Sequence, residues 1–422
     1  MTGPQDHRTR TLVLAGVLHA FTHIYQMALI PMYLPIQKFY GRASVGDATL
    51  LVTVMLVAYF LPSYAMGVLA DRFSRKKLLA WGLAVNALGF VGLALSPTYP
   101  LALACVIVSG FGGSFFHPSA TALIARLYPA STGRALGFLG IGASVGFCIG
   151  PLYAGWRASA HGWQAPVLEL GIYGLIFAGL FAWLAEEHGA EENQAKCTPL
   201  AARARPEPMF PTVGLWLMFL AAAFMFLLRD FAGSSMSTVG SLFLQKARGF
   251  DVGTTGFTIS FIFLASAISN PLFGHLSDRS RLRWAAAMII ISAGFIAAFP
   301  HVPKPWIIPA LLAYGFFFLA SYPIVEAALM EAVPDAVRGR VFGLFITIGG
   351  LLGNLSHYLT GRWVAGFGAG AYEVRTYYPL YAGLAVFLLA SLAGLPCLHA
   401  LRQREKALRP GAALASSPTG LP

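Results

Sequence analysis

The sequence predicts an all-α membrane protein, with twelve transmembrane helices arranged as two pseudo-symmetric six-helix bundles. Three observations predict it. Hydrophobic residues make up 57% of the 422 and charged residues only 11%, with a mean hydropathy of +0.67; a soluble domain carries about twice that charge. The apolar residues fall into twelve long runs, and a spanning helix needs roughly 20 such residues. Two short motifs also return at half the chain length. Gly67-Val-Leu-Ala-Asp71-Arg72 recurs as Gly274-His-Leu-Ser-Asp278-Arg279, 207 positions on, and Gly133-Arg134-Ala-Leu-Gly137 recurs as Gly339-Arg340-Val-Phe-Gly343, 206 positions on. Repetition at that offset marks a duplicated unit, and duplicated halves in a membrane are how alternating-access transporters are built.

The runs cover about 11–36, 48–70, 78–97, 100–126, 133–156, 165–185, 211–245, 253–276, 284–300, 305–332, 340–362 and 377–400. A lipid-facing barrel would show short alternating strands instead. Ten polar residues precede the first run and no small-residue cleavage site follows it, so it reads as an uncleaved helix and not a signal peptide. Span 1 carries His19, His23 and Gln26, whose i, i+4, i+7 spacing puts them on one face. Span 4 contains His117 before Pro118, a place for a kink. Span 5 carries Gly142, Gly146 and Gly150 before Pro151, a smooth face on which backbones can touch. Arg229 and Asp230 lie near the middle of span 7; adjacent helical residues point about 100° apart, so direct pairing between them is not expected. Glu326 and Glu331 approach one end of span 10, near Arg338 and Arg340, where gate salt bridges are expected. Asn354 and His357 share a face of span 11.

These runs divide the chain into a bundle over 1–185, a cytoplasmic linker over 186–210 rich in Ala, Glu, Pro and Arg, a second bundle over 211–400, and a disordered cytoplasmic tail over 401–422. With both termini in the cytoplasm, 20 of the 29 basic residues lie inside, eight outside and Arg229 within a span. That asymmetry fits the positive-inside rule and places a multi-pass protein in the cell (inner) membrane. The net charge of +12 then reports topology and contact with anionic membrane lipids. A nucleic-acid partner is a poor explanation, because the charge is split among short loops. Cys105, Cys148, Cys197 and Cys397 are scattered and suggest neither a disulfide framework nor a metal centre. A monomer is expected.

The segment Gly67-Val-Leu-Ala-Asp71-Arg72-Phe-Ser-Arg75-Lys76-Lys77 resembles the loop 2–3 signature of the major facilitator superfamily, with Gly274, Asp278 and Arg279 in the echo. The resemblance implies a latch that holds the cytoplasmic side shut; the plainer reading is that the basic run only fixes topology. Ser74 stands where the family usually has glycine. The Gly142–Pro151 stretch resembles the Gly-Pro motif of proton-driven antiporters of the same superfamily, although ordinary close packing also uses such faces. Leu18-His19-Ala-Phe-Thr-His23-Ile-Tyr-Gln26, with Gly113-Ser-Phe-Phe-His117-Pro118, resembles the fosmidomycin-resistance branch, whose members export a small phosphonate drug. That branch usually has Asn-Asp at Thr22 and His23 and an acid at Ser119.

Intramembrane ionisable groups are costly and mark candidate sites. His19, His23 and Asp230 are candidates for proton coupling, since imidazole changes charge near physiological pH. The alternative is a pair of histidines bonded to neighbouring helices. Arg229, whose guanidinium offers a planar fork of donors, is a candidate for binding an anionic group, together with Gln26, His117, Asn354 and His357; the alternative is a structural ion pair between halves. Arg72, Arg75, Arg134, Arg340 and Glu326 join the signature residues as candidate gates. No phosphate loop, zinc-ligand spacing or nucleophile elbow is present, so no enzyme activity, cofactor or metal is expected. The function expected is a proton-coupled secondary transporter exporting a small polar or anionic compound or drug. An importer or facilitator of an organic anion, and a non-transporting sensor or scaffold, are the alternatives.

Overall fold

The computed structural model describes residues 4–187, 208–334 and 337–408. Most of the linker, Cys197, the tail beyond Leu408 and the Asp71 side chain lie outside the described residues. Twelve described helices are long and apolar enough to cross a membrane: His7–Phe39, Val45–Ala70, Arg75–Leu95, Tyr99–Leu127, Thr132–His161 and Gln164–Leu184 in the first half, and Val213–Lys246, Val252–Arg279, Arg281–His301, Lys304–Ala332, Arg338–Gly366 and Val374–Leu408 in the second. They are spans 1 to 12. Span 12 runs on to Leu408, so residues 401–408, expected as tail, are helical.

Prolines and polar residues bend several spans without ending them. Span 2 breaks between Phe60 and Ser63, where Pro62 lacks the N–H that would bond the Ala58 carbonyl. Span 4 breaks at Ser114–Phe115, because Pro118 cannot donate to the carbonyl of Ser114. Span 11 turns at Asn354, whose side chain donates back to the Gly350 carbonyl at 2.6 Å. Span 1 passes through a 3-10 turn over Ile30–Met32, around Pro31.

Within each bundle, glycine stripes let backbones touch. A Cβ at Gly142, Gly146 or Gly150 of span 5 would strike the carbonyls of Gly16, Ala20 and Ile24 of span 1 in turn, so the four-residue repeat on one helix matches a four-residue repeat on the other. Gly112 packs on Asn86, Gly89 on Ser109 and Gly110 on Met55, closing spans 2, 3 and 4 together. Gly315 of span 10 meets Ile262 of span 8.

The two ends of the molecule differ. One end, the basic end, carries Arg72, Arg126, Arg134, Arg279 and Arg340 and the outer ends of spans 1, 6, 7 and 12; there Arg10 donates to Glu186 at 2.5 Å. At the opposite end the bundles are sealed to each other. Gly155 lies on Gly256, Gly361 on Thr49, and Gly46 on the stem of Arg362. Ser241 donates to the Ile30 carbonyl at 2.8 Å and Gln245 to that of Pro31 at 3.0 Å. Thr53 donates to the Asn354 carbonyl at 3.0 Å and accepts from the Tyr358 N–H at 3.1 Å. At the basic end no described residue lies within 4 Å of where a Cβ would stand on Gly133, Gly137, Gly140, Gly274, Gly339 or Gly343. Among the described residues the bundles therefore part at the basic end, leaving a cleft there, and are shut at the other.

Candidate transport site

Two polar clusters lie where the seal gives way to the cleft. In the first half, spans 1 and 4 bring together His19, His23 and His117. The i, i+4 spacing stacks the first two, and their Nε2 atoms stand 3.1 Å apart. His19 Nδ1 lies 2.8 Å from the Leu139 carbonyl and His23 Nδ1 lies 2.9 Å from Gln26 Oε1. The break at Ser114–Phe115 swings His117 to the same point, with its ring centroid 5.3 Å from that of His19 and 5.9 Å from that of His23. Phe116 stacks on His19 at 4.5 Å, and Phe147 covers His23 at 4.0 Å. His19 and His23 are buried, whereas His117 is exposed, so the cleft reaches it at mid-membrane. No metal was expected from the sequence, yet the fold gathers three imidazoles whose nitrogens lie within 4.8 Å of one another. Histidines 94 residues apart give no linear signal of that kind.

In the second half, Arg229 and Asp230 do pair with each other, against expectation. Arg229 donates to Asp230 Oδ1 from Nε at 3.0 Å and lies 2.9 Å from it through Nη2. The 100° between their Cβ directions is spanned because the arginine stem is long enough to fold back. Nη1 donates to the Ser321 carbonyl at 3.4 Å, and the guanidinium carbon sits 3.9 Å from the Tyr322 ring centre. The arginine side chain is 1% exposed and that of Asp230 18%. The accessible charge is thus the carboxylate, while each of the three Arg229 nitrogens already has a partner within the protein. Gly349 and Gly353 of span 11 press against Asp230, at 2.5 Å from Oδ2 and 2.9 Å from Cβ as a Cβ would measure it. Glu326, expected at the gate, lies instead within electrostatic range of Arg229 and Asp230; it is one turn beyond Tyr322 on the same helix face. Sequence reading missed Tyr322, since an aromatic residue in an apolar span carries no mark of a charge partner.

Asn354 and His357, expected to bind substrate, belong to the seal. His357 Nδ1 lies 2.6 Å from the Thr238 hydroxyl, which in turn meets Tyr33 at 3.0 Å across the bundles. Asn354 Oδ1 accepts from Ser234 at 3.3 Å. Gln26 bonds His23 rather than lining the cleft. The Gly142–Pro151 stripe seats span 5 on span 1, and Pro151 itself sits against Gly256 of span 8.

The repeated signatures dock differently. Ser74, Arg75 and Lys76 are held by Glu187, which follows span 6: the Ser74 hydroxyl donates at 2.6 Å and the Arg75 N–H at 3.1 Å. In the echo, Asp278 pairs with Arg281 at 3.0 Å, Arg281 pairs closely with Glu331, and Arg402 reaches Glu331 at 3.3 Å. Glu331 therefore meets arginines of spans 9 and 12 and not the expected Arg338, which donates to the Met330 carbonyl at 2.7 Å. Arg72, Arg134, Arg279 and Arg340 are exposed at the basic end.

Comparison with known proteins shows the family and the fold. The Major Facilitator Superfamily profile matches residues 12–357. The chain is 20% identical to the fosmidomycin resistance protein of Escherichia coli, over 88% of this chain and 90% of that one. It is 26% identical to the multi-drug resistance efflux pump PmrA of Streptococcus pneumoniae, over 78% and 84%. A bacterial homologue of the human lysosomal transporter Spinster, solved in an inward-facing and unoccupied conformation, superposes with a TM-score of 0.73 at 16% identity, over 96% of this chain and 98% of that one. The fold of twelve spans in two bundles, the half-length repeats and these matches make the chain a member of the Major Facilitator Superfamily, a multi-pass membrane transporter and not an enzyme.

Proposed function

We propose that the protein is a proton-coupled exporter of small polar compounds, in which a proton and the substrate take turns on Asp230. One observation carries the reading: of the charges buried at mid-membrane, Arg229 is closed off and turned onto its neighbour, while Asp230 remains reachable. A carboxylate open to the cleft, as Asp230 is, can hold a proton or a hydrogen-bond donor of the substrate, but not both. Competition of that kind couples two fluxes in opposite directions. Arg229 is then a positioning residue and not the anion-binding group. Efflux accords with the names of the two relatives, and the basic end, rich in Lys and Arg, is assigned to the cytoplasm. The cleft accordingly opens inward and loads from the cytoplasm.

Reconstitution in liposomes tests this, with a panel of phosphonates, phosphate esters and lipophilic drugs assayed with and without a pH gradient. The expectation is substrate movement driven against its gradient by inward protons. In Asp230→Asn, gradient-driven movement should vanish while substrate exchange at equal pH survives. Wild-type pH dependence in that variant would reduce the Arg229–Asp230 pair to a structural element. Accumulation together with protons would favour the importer instead.

A further inference from the structure

Independently of the transport reading, we infer that His19, His23 and His117 form a binding site for a divalent transition-metal ion of the zinc, cobalt or nickel type. The argument begins with lone pairs. A backbone carbonyl can only accept, so the His19 contact to Leu139 at 2.8 Å fixes the proton of His19 on Nδ1. The Gln26 oxygen at 2.9 Å does the same for His23. Both neutral rings then present an unprotonated Nε2, and these two atoms face each other at 3.1 Å. Two lone pairs at that distance repel unless a cation lies between them or beside them.

A metal ion suits the spacing. Zinc–imidazole bonds of about 2.0–2.1 Å at a tetrahedral angle set ligand nitrogens roughly 3.4 Å apart. The His19–His23 pair is already near that separation, and all three nitrogens lie within 4.8 Å of one another, so a small rotation of His117 completes the set. The i, i+4 pair on one helix is a familiar ligand spacing. Metal-bound imidazoles commonly direct their second nitrogen at a carbonyl or carboxylate, which fixes the tautomer; His19 and His23 already do so. His117 is open to the cleft, which gives the ion an entry path and leaves a fourth position for water or a ligand atom. Three neutral nitrogens with no carboxylate select the borderline transition metals over magnesium and calcium. Phe116 and Phe147 wall the other sides.

The Gln26 amide offers a competing arrangement. Reversed, its nitrogen would donate to His23, and His23 would donate to His19, giving a closed chain that needs no ion. Substitution at Gln26 separates the two. Glutamate can only accept, so Gln26→Glu holds the metal-ready tautomer and should bind as tightly as wild type or tighter; Gln26→Leu should weaken binding about 10–100-fold.

The experiment is a cobalt titration of tag-free protein in detergent, read by visible absorption. One Co2+ per chain with tetrahedral bands is expected, competed away by Zn2+. His19→Ala, His23→Ala and His117→Ala should each lose more than the roughly 100-fold that loss of an orienting partner brings. His117→Cys, which restores a ligand, should keep cobalt and add a thiolate charge-transfer band. His399→Gln, on an exposed histidine of span 12, should bind as wild type. Absence of saturable cobalt binding in wild type would overturn the site, as would unchanged affinity in His117→Ala or weaker binding in Gln26→Glu.

Discussion

Spans 1 and 7 hold matching places in the two halves, and their polar groups differ. At the 207-residue offset of the loop signatures, His23 corresponds to Asp230, Thr22 to Arg229 and Ser119 to Glu326. The first half thus carries a neutral imidazole cluster where the second carries an acid–base network. The packing beneath them is shared. Gly142 and Gly146 correspond to Gly349 and Gly353, and each pair presses its span onto the one that bears the polar group. Even the caps at the sealed end correspond: Ser44 starts span 2 by accepting from the Gly46 N–H, and Asp251 starts span 8 by accepting from the Thr254 N–H. Duplication has kept the helix contacts and let the chemistry diverge. Contacts between backbones admit little change, whereas a side chain facing a cleft can be exchanged without moving a helix.

The largest predicted effect sits where the halves differ most. Arg229→Gln leaves the partly exposed Asp230 carboxylate without its partner and should destabilise the protein by about 3 kcal/mol, the low end for a broken buried pair. His23→Ala, at the position that matches Asp230, should cost clearly less, since no charge is stranded. Thermal unfolding in detergent compares the two, and Arg229→Gln/Asp230→Asn should recover most of the loss. Equal effects at the two positions would mean that the halves are not chemically distinct.

Where the halves agree, the effects should agree. Gly146→Val and Gly353→Val each force a side chain into a neighbouring helix and should cost about 1–3 kcal/mol or more. Tolerance of one and not the other would show that the packing has diverged too. At the basic end, Glu187→Gln removes a carboxylate that accepts from two N–H groups opening span 3, and should cost about 0.5–2 kcal/mol. Glu331→Gln breaks partly exposed ion pairs and should cost about 0–1 kcal/mol.

The smallest effect concerns pH. The Thr254 hydroxyl and N–H hold the Asp251 carboxyl below the usual carboxylate range. A depressed folded value stabilises above the unfolded pKa of about 3.9 and is lost as pH falls through and below it. The cost of Asp251→Ala, about 1 kcal/mol near neutrality, should therefore shrink below about pH 4. The similar cost of Ser44→Ala should not change there, because a hydroxyl does not titrate. Parallel pH profiles for the two variants would remove the distinction.

The sequence by itself determined the number of spans, the duplication and the family. Apolar run length and half-length repeats are one-dimensional signals, written in residue order. It also marked Arg229, Asp230, His19 and His23, because polar residues stand out in an apolar run. Their partners were decided only by the tertiary structure. Pairing depends on helix rotation and on how far a flexible side chain reaches, so Arg229 folds back on Asp230, Glu326 joins them, and Glu331 turns to Arg281 and Arg402. The opening of the cleft at one end is likewise invisible in the sequence. The glycines of both ends look alike along the chain, and only the set of the two bundles decides that Gly155 touches Gly256 while Gly137 has no described residue within 4 Å. The meeting of His117 with His19 and His23 has the same cause: a break in span 4 carries one side chain across a distance that sequence separation does not encode.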